Sequence, residues 1–258
     1  MDSTHRHDTR VLGAPDAPTA LLVLWDVDHT LIDNGGISKA VYAATFETLT
    51  GSPPAHAVLT EGRTEPEIVR NLFVRHELEL QPDQLAGLVD VLAASLEAKL
   101  PQLRERGCAL PGAEAALHAL RATPGVVQSV LTGNVRANAV AKLAAFGLDG
   151  YVDFDAGGYG SDDSARPKLV AFAQARAADK YGIPFDRANT VLIGDTPRDV
   201  QAGREGGAYV VGVASGIDSA EVLRAEGADI VLEDLRDTTA VLAAVLAARS
   251  RQPSGAAG

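Results

Sequence analysis

The chain has 258 residues, 46% of them hydrophobic, and a formal net charge of −11. That acidic balance argues against a nucleic-acid partner, whose phosphate backbone selects Lys- and Arg-rich surfaces. No apolar run reaches the roughly 18 residues needed to span a bilayer, so no membrane partner is expected, and the single cysteine, Cys108, rules out an intrachain disulfide.

In chain order, residues 1–18 are polar and punctuated by Pro and Gly, and are expected to form a flexible arm. The opening "MDSTHRHDTR" lacks the apolar stretch of a secretory signal, so a cytoplasmic location is expected. Leu21–Trp25 is continuously apolar and predicts a strand buried on both faces, the pattern of a parallel sheet. The next hundred or so residues contain no further run of this kind. Helical patterning instead covers Ser38–Thr50, Glu65–Leu78 and Pro82–Arg104, where Leu85, Leu88, Val89, Leu92, Leu96 and Leu100 recur at helical spacing. A crossover helix needs only a dozen or so residues, so this segment predicts an inserted helical cap. Turn residues in "DNGG" (Asp33–Gly36) and "ERGCALPGA" (Glu105–Ala113) mark its two hinges.

Four more apolar runs predict strands: Val126–Leu131, Thr190–Ile193, Tyr209–Val213 and Ile230–Leu232. Helices are predicted over Arg136–Phe146, Pro167–Tyr181, Asp199–Glu205 and Ser219–Ala225. Alternating strand and helix predicts an α/β fold with a Rossmann-like, doubly wound parallel sheet. The domain reading is therefore a core of 19–34 and 108–248, a cap of 35–107, and a flexible tail of 249–258.

Chemistry concentrates in four stretches, each just after an apolar run or at the start of the next helix. They are "DVDHT" (Asp26–Thr30), "LTGN" (Leu131–Asn134), "ARPK" (Ala165–Lys168) and "IGDTPRD" (Ile193–Asp199). Parallel strands end on one edge, where ligands of such sheets bind, so the four are expected to converge. Two like charges one residue apart, Asp26 and Asp28, repel unless a cation lies between them. Asp26, Asp28, Asp195 and Asp199 offer only oxygen, which suits a hard cation such as Mg²⁺. Thr132, Gly133 and Asn134 sit at a strand-to-helix turn suited to an anion, and Arg166 would neutralise phosphate charge. The expected chemistry is metal-assisted phosphoryl transfer.

In order and position, these motifs resemble the four motifs of the haloacid dehalogenase superfamily across roughly residues 20–235. The long helical insert is similar to that of its phosphoglycolate-phosphatase-like and β-phosphoglucomutase-like members. The resemblance implies that Asp26 is a nucleophile forming an aspartyl-phosphate and that Asp28 is the general acid and base. It implies Mg²⁺ held by the carboxylates of Asp26 and Asp195, the backbone carbonyl of Asp28, and Asp199 directly or through water. Thr132, Gly133, Asn134 and Arg166 would hold the phosphoryl oxygens of a small phosphorylated metabolite. The third motif departs from the family's usual Lys-Pro: Arg166-Pro167 aligns on the proline and is assigned the cation role, while Lys168, two residues on, is the alternative. His29, Arg63 and Lys168 are further candidates for contact with substrate or cap, beside a bland role for His29 and a solvated surface arginine for Arg63.

Other activities of the superfamily give rival expectations. Haloacid dehalogenation needs no metal and generally lacks the second acid of the first motif, so Asp28 speaks against it. Phosphonoacetaldehyde hydrolysis needs a cap lysine, for which Lys39 and Lys99 are candidates, and a β-phosphoglucomutase-like mutase would differ mainly in cap contacts. A non-catalytic binding module predicts loss of Asp26, Asp28 or Asp195, and all three are present. A monomer or homodimer is expected.

Overall fold

A computed structural model describes residues 20–60 and 62–251. Its strands, in chain order, are β1 (Leu21–Trp25), β2 (Ile32–Asp33), β3 (Cys108–Ala109), β4 (Val126–Thr132), β5 (Gly158–Tyr159), β6 (Thr190–Gly194), β7 (Tyr209–Val213) and β8 (Ile230–Leu232). Five helices lie between β2 and β3: α1 (Ile37–Thr50), α2 (Glu65–Arg75), α3 (Pro82–Ala86), α4 (Leu88–Glu97) and α5 (Leu100–Arg106). The remaining helices are α6 (Ala113–Arg121), α7 (Arg136–Ala145), α8 (Arg166–Tyr181), α9 (Pro197–Gly206), α10 (Ala220–Glu226) and α11 (Thr238–Leu246).

Six strands form one parallel sheet in the order β5-β4-β1-β6-β7-β8. The register aligns Trp25 with Val130 on one side and with Ile193 on the other, so β1, β4 and β6 run out together at one edge. Alternation along β1 explains why it is apolar throughout. Leu21, Val23 and Trp25 pack with α6, α7 and α11 on one face, and Leu22 and Leu24 pack with α8 and Ala202 of α9 on the other. The fold is thus α/β and Rossmann-like, with helices on both faces.

The sheet confirms all five predicted strands and adds the two-residue β5, too short to show a pattern. The expectation of a strand-free segment between β1 and β4 is corrected. Ile32 pairs with Ala109 and Asp33 with Cys108 in a two-residue antiparallel ladder at the base of the helical insert. Predicted Pro82–Arg104 is three helices rather than one. Gly87 separates α3 from α4, and Pro101, at the start of α5, cannot continue a helix from Glu97 because its ring would strike that carbonyl. Helix α2 stops at Arg75 rather than Leu78, since Glu77 is left-handed at φ 56. Helices α6 and α11 were not anticipated.

The insert has its own apolar cluster, built from Ile37, Val41, Phe46, Ile68, Leu72, Phe73, Leu92 and Leu96 among others. It is closed at one side by Val135 and Phe146, which flank α7 of the sheet layer. Among the described residues no helix is long and apolar enough to cross a membrane. The expected N-terminal arm and most of the expected tail lie outside the described residues. Residues Ala247–Arg251 form a 3-10 turn, and Arg249 Nη2 donates to the Pro124 carbonyl at 2.8 Å.

Candidate active site

All four sequence stretches reach the edge where β1, β4 and β6 end. Asp26 follows directly on β1 and donates its N–H to the Ile193 carbonyl at 2.8 Å, which carries the sheet pairing one residue further. The chain then turns. His29 is left-handed at φ 65, its N–H donates to the Ile32 carbonyl, and its own carbonyl accepts from Ser215 Oγ at 2.6 Å. His29 therefore serves the turn through its backbone.

The turn separates the two acids of the first motif. Carboxylate oxygens of Asp26, Asp195 and Asp199 lie within 4.8 Å of one another, and all three residues are buried. The sequence suggested four carboxylates in one cluster; the structure gathers three and turns the Asp28 carboxylate elsewhere. Thr30 Oγ1 donates to Asp195 Oδ1 at 3.0 Å. Gly216 lies so close to Asp195 Oδ2 that a Cβ there would collide with it. Asp199 sits in the first turn of α9. Its Oδ2 accepts from the Thr196 hydroxyl at 2.6 Å and from the Thr196 N–H at 3.1 Å, closing a capping box. Its Oδ1 faces Arg166.

Arg166 is 8% exposed. Its Nη2 donates to Asp26 Oδ1 at 2.8 Å and to Asp199 Oδ1, and its Nη1 donates to the Gly62 carbonyl of the insert at 3.1 Å. Its Nε is buried with no hydrogen-bond partner among the described residues. Lys168 points outward from α8 and pairs with Asp163 at 2.8 Å. The structure thus brings Arg166 into the carboxylate cluster and leaves Lys168 at the surface.

Electrostatics follow from this placement. Burial raises Asp26, and the nearby Asp199 charge raises it further; Arg166 offsets part of this, leaving it at about 7. Burial and the charges of Asp26 and Asp199 likewise hold Asp195 well above the usual carboxylate range. Asp28 goes the other way. Burial alone would raise it, but Lys142 and the amides of Asn134 and Asn34 bring it to about 2.

A model of the haloacid dehalogenase-like hydrolase family matches residues 23–204. The chain belongs to this family. It is an enzyme of the hydrolase class. Over 228 residues it is 27% identical to the probable phosphatase IndB of Dickeya dadantii, spanning 87% of this chain and 94% of that protein. It is 32% identical over 228 residues to the plasmid phosphoglycolate phosphatase of Cupriavidus necator, spanning 85% of this chain and 92% of that one. In fold it resembles a hydrolase from Pseudomonas syringae, with a TM-score of 0.63 at 24% identity, covering 86% of this chain and 98% of the other.

In this hydrolase the second motif closes the site from the side of β4. Asn134 Nδ2 donates to Thr132 Oγ1 at 2.7 Å and to Asp28 Oδ2 at 2.8 Å. The helix cap of α7 is Val135, not Asn134, so Asn134 spends its amide on the site. Gly133 accepts from the Glu65 N–H at 2.8 Å, and a Cβ on it would collide with the Arg63 carbonyl. Arg63 itself forms an ion pair with Glu67 at 3.5 Å.

Two buried charges were missed from sequence. Lys142 of α7 contacts Asp28, Ser38 and Asn134. Glu65 of α2 accepts from the Val135 N–H and Asn138 Nδ2, each at 2.9 Å, and from the Tyr42 hydroxyl at 3.3 Å. One signal was available for Lys142. It shares the inward stripe of α7 with Ala139 and Leu143, and a charge on such a stripe needs a partner. Glu65 gave no such signal, because an acid in a first helical turn is expected for dipole reasons alone.

Proposed function

We propose that this hydrolase is a Mg²⁺-dependent phosphatase that cleaves a small phosphorylated metabolite through an aspartyl-phosphate intermediate, with the inserted helices as its cap. The observation that carries this reading is the meeting of three buried carboxylates with a buried arginine whose Nε is unpartnered. The names of the two relatives support the substrate class.

The donor set fits Mg²⁺. Asp26, Asp195 and Asp199 offer only oxygen, and their mutual repulsion asks for a cation beyond the single charge of Arg166. The carboxylates of Asp26 and Asp195 and the Asp28 backbone carbonyl would hold it, with Asp199 bound directly or through water. When bound, Mg²⁺ supplies positive charge that keeps Asp26 ionised and draws electron density from the transferring phosphoryl group.

The residues then divide the work. Asp26 attacks phosphorus, the ester P–O bond breaks, and the leaving oxygen takes its proton from Asp28. Asp28 is ionised in the resting arrangement and must first bind a proton, which an incoming phosphate dianion beside it favours. Water next attacks the phosphorus of the aspartyl-phosphate, Asp28 takes the proton, and phosphate leaves. Thr132, Gly133, Asn134 and Arg166 hold the phosphoryl oxygens, with Arg166 Nε as a donor ready for one of them. The cap helices exclude water and select the leaving group.

Two rival readings find less support. Dehalogenation has no use for Asp28. An imine needs a free cap amine near the site; Lys39 is exposed on α1, Lys99 is the half-buried N-cap residue of α5, and buried Lys142 is fully engaged.

The decisive assay is phosphate release from p-nitrophenyl phosphate with Mg²⁺, with excess EDTA, and in Asp26→Asn. Turnover should require Mg²⁺ and fall at least ~10³-fold in the variant. Metal-independent turnover, or a variant as active as the wild type, would refute the reading.

A further inference from the structure

The side chain of Lys142 is 1% exposed, and its ammonium group has three protons to place. It donates to both oxygens of Asp28, at 3.0 and 2.8 Å, to Ser38 Oγ at 2.9 Å and to Asn134 Oδ1 at 2.6 Å. Those partners come from three separate segments: the turn after β1, the first helix of the insert, and the loop after β4. Asp28 is held from other sides as well, by Asn34 Nδ2 at 2.7 Å and Asn134 Nδ2 at 2.8 Å. Its side chain nevertheless stays 22% exposed. Of the pair, only Asp28 is open to a substrate, so Lys142 must act through it.

A well-packed apolar residue is often as stable as a buried ion pair, so stability alone does not account for a lysine here. We propose that Lys142 is a positioning residue for the leaving-group step, fixing the Asp28 carboxylate at the junction of nucleophile loop, phosphate loop and cap. This rests on the phosphatase reading and extends it to a residue outside the four motifs. The consequence is specific. Help from an acid matters most when the leaving oxygen is a poor leaving group. Misplacing Asp28 should therefore hurt a basic leaving group far more than one already stable as an anion.

The experiment compares phenyl phosphate with p-nitrophenyl phosphate, two esters of similar shape, for wild type, Lys142→Met, Asp28→Asn and the double variant. Lys142→Met should lower kcat on phenyl phosphate at least ~10-fold more than on p-nitrophenyl phosphate, with little change in KM. Asp28→Asn should show the same bias, and adding Lys142→Met to it should not increase the bias. Ser38→Ala removes one acceptor of Lys142, and with it a long 3.4 Å hydrogen bond to Asp28 Oδ1, without touching a charge, and should shift the ratio in the same direction by about threefold. That variant decides the matter if Lys142→Met does not fold. Equal losses on both esters, or a gain on phenyl phosphate, would overturn the proposal while leaving the phosphatase reading intact. A wild type inactive on both esters would overturn both.

Discussion

At the scale of single residues, Asp26 and Asp28 stand one residue apart yet meet opposite surroundings. Asp26 faces two other buried acids and one arginine and rises to about 7; Asp28 faces a buried lysine and two amides and falls to about 2. Without a cation these shifts run against the proposed roles, since a nucleophile must be ionised and an acid protonated; a cation beside Asp26 and a phosphate dianion beside Asp28 would each move the group the required way. The third motif can be judged in the same terms. Arg166 touches Asp26 and Asp199 from a buried position, whereas Lys168 pairs with Asp163 at the surface. Arg166→Ala should therefore lower kcat/KM on p-nitrophenyl phosphate by ~10²-fold or more. Lys168→Ala should stay within about threefold of wild type, as an exposed ion pair contributes little. Similar losses in the two variants would contradict this assignment.

At the scale of elements, the contact between α2 and α7 joins the insert to the sheet layer. Thr64 caps α2, accepting from the Glu67 N–H, and Glu65 then plugs the start of α7 by accepting from Val135 and Asn138. The same loop lies over Gly133, which has no side chain to hold it off. One carboxylate thus serves three buried donors, with Tyr42 as the third. Glu65→Ala should leave them unsatisfied and cost roughly 3 kcal/mol, read as a lower urea midpoint at unchanged m-value. A loss below about 1 kcal/mol would mean that water or a neighbour replaces the carboxylate easily. Because the Glu65 carboxylate also holds the Val135 N–H, next to Asn134 of the phosphate loop, the same variant should raise KM.

At the scale of the whole molecule, the insert and the sheet are not separable by their cores. The cluster inside the insert includes fully buried Val135, and Phe146 packs against it from the far end of α7. Among the described residues, a two-residue ladder between β2 and β3 is the only sheet at the base of the insert. A chain of residues 35–107 alone would lose the α7 surface and leave part of its apolar cluster in water, at a size where a single core is already marginal. It should give a poorly dispersed amide spectrum and no cooperative melt. A well-dispersed spectrum with a sharp transition would show that the insert folds by itself.

The sequence alone determined the sheet and the position of most of the site. Strands buried on both faces must be apolar throughout, so β1, β4, β6, β7 and β8 were legible, and parallel strands must end together, so the motifs that follow them had to meet. The short pairs β2–β3 and β5 are too brief to carry periodicity, and Gly87 and Pro101 broke a helix whose apolar spacing ran on without interruption. The family resemblance implied different roles for the two acids, but only the tertiary structure showed what divides them. By local pattern alone, two carboxylates flanking Val27 are alike; they become different when a turn at His29 directs one toward Asp195 and Asp199 and the other toward Lys142, over a hundred residues away. Partnership of that kind depends on which surfaces fold against each other, and no local pattern records it.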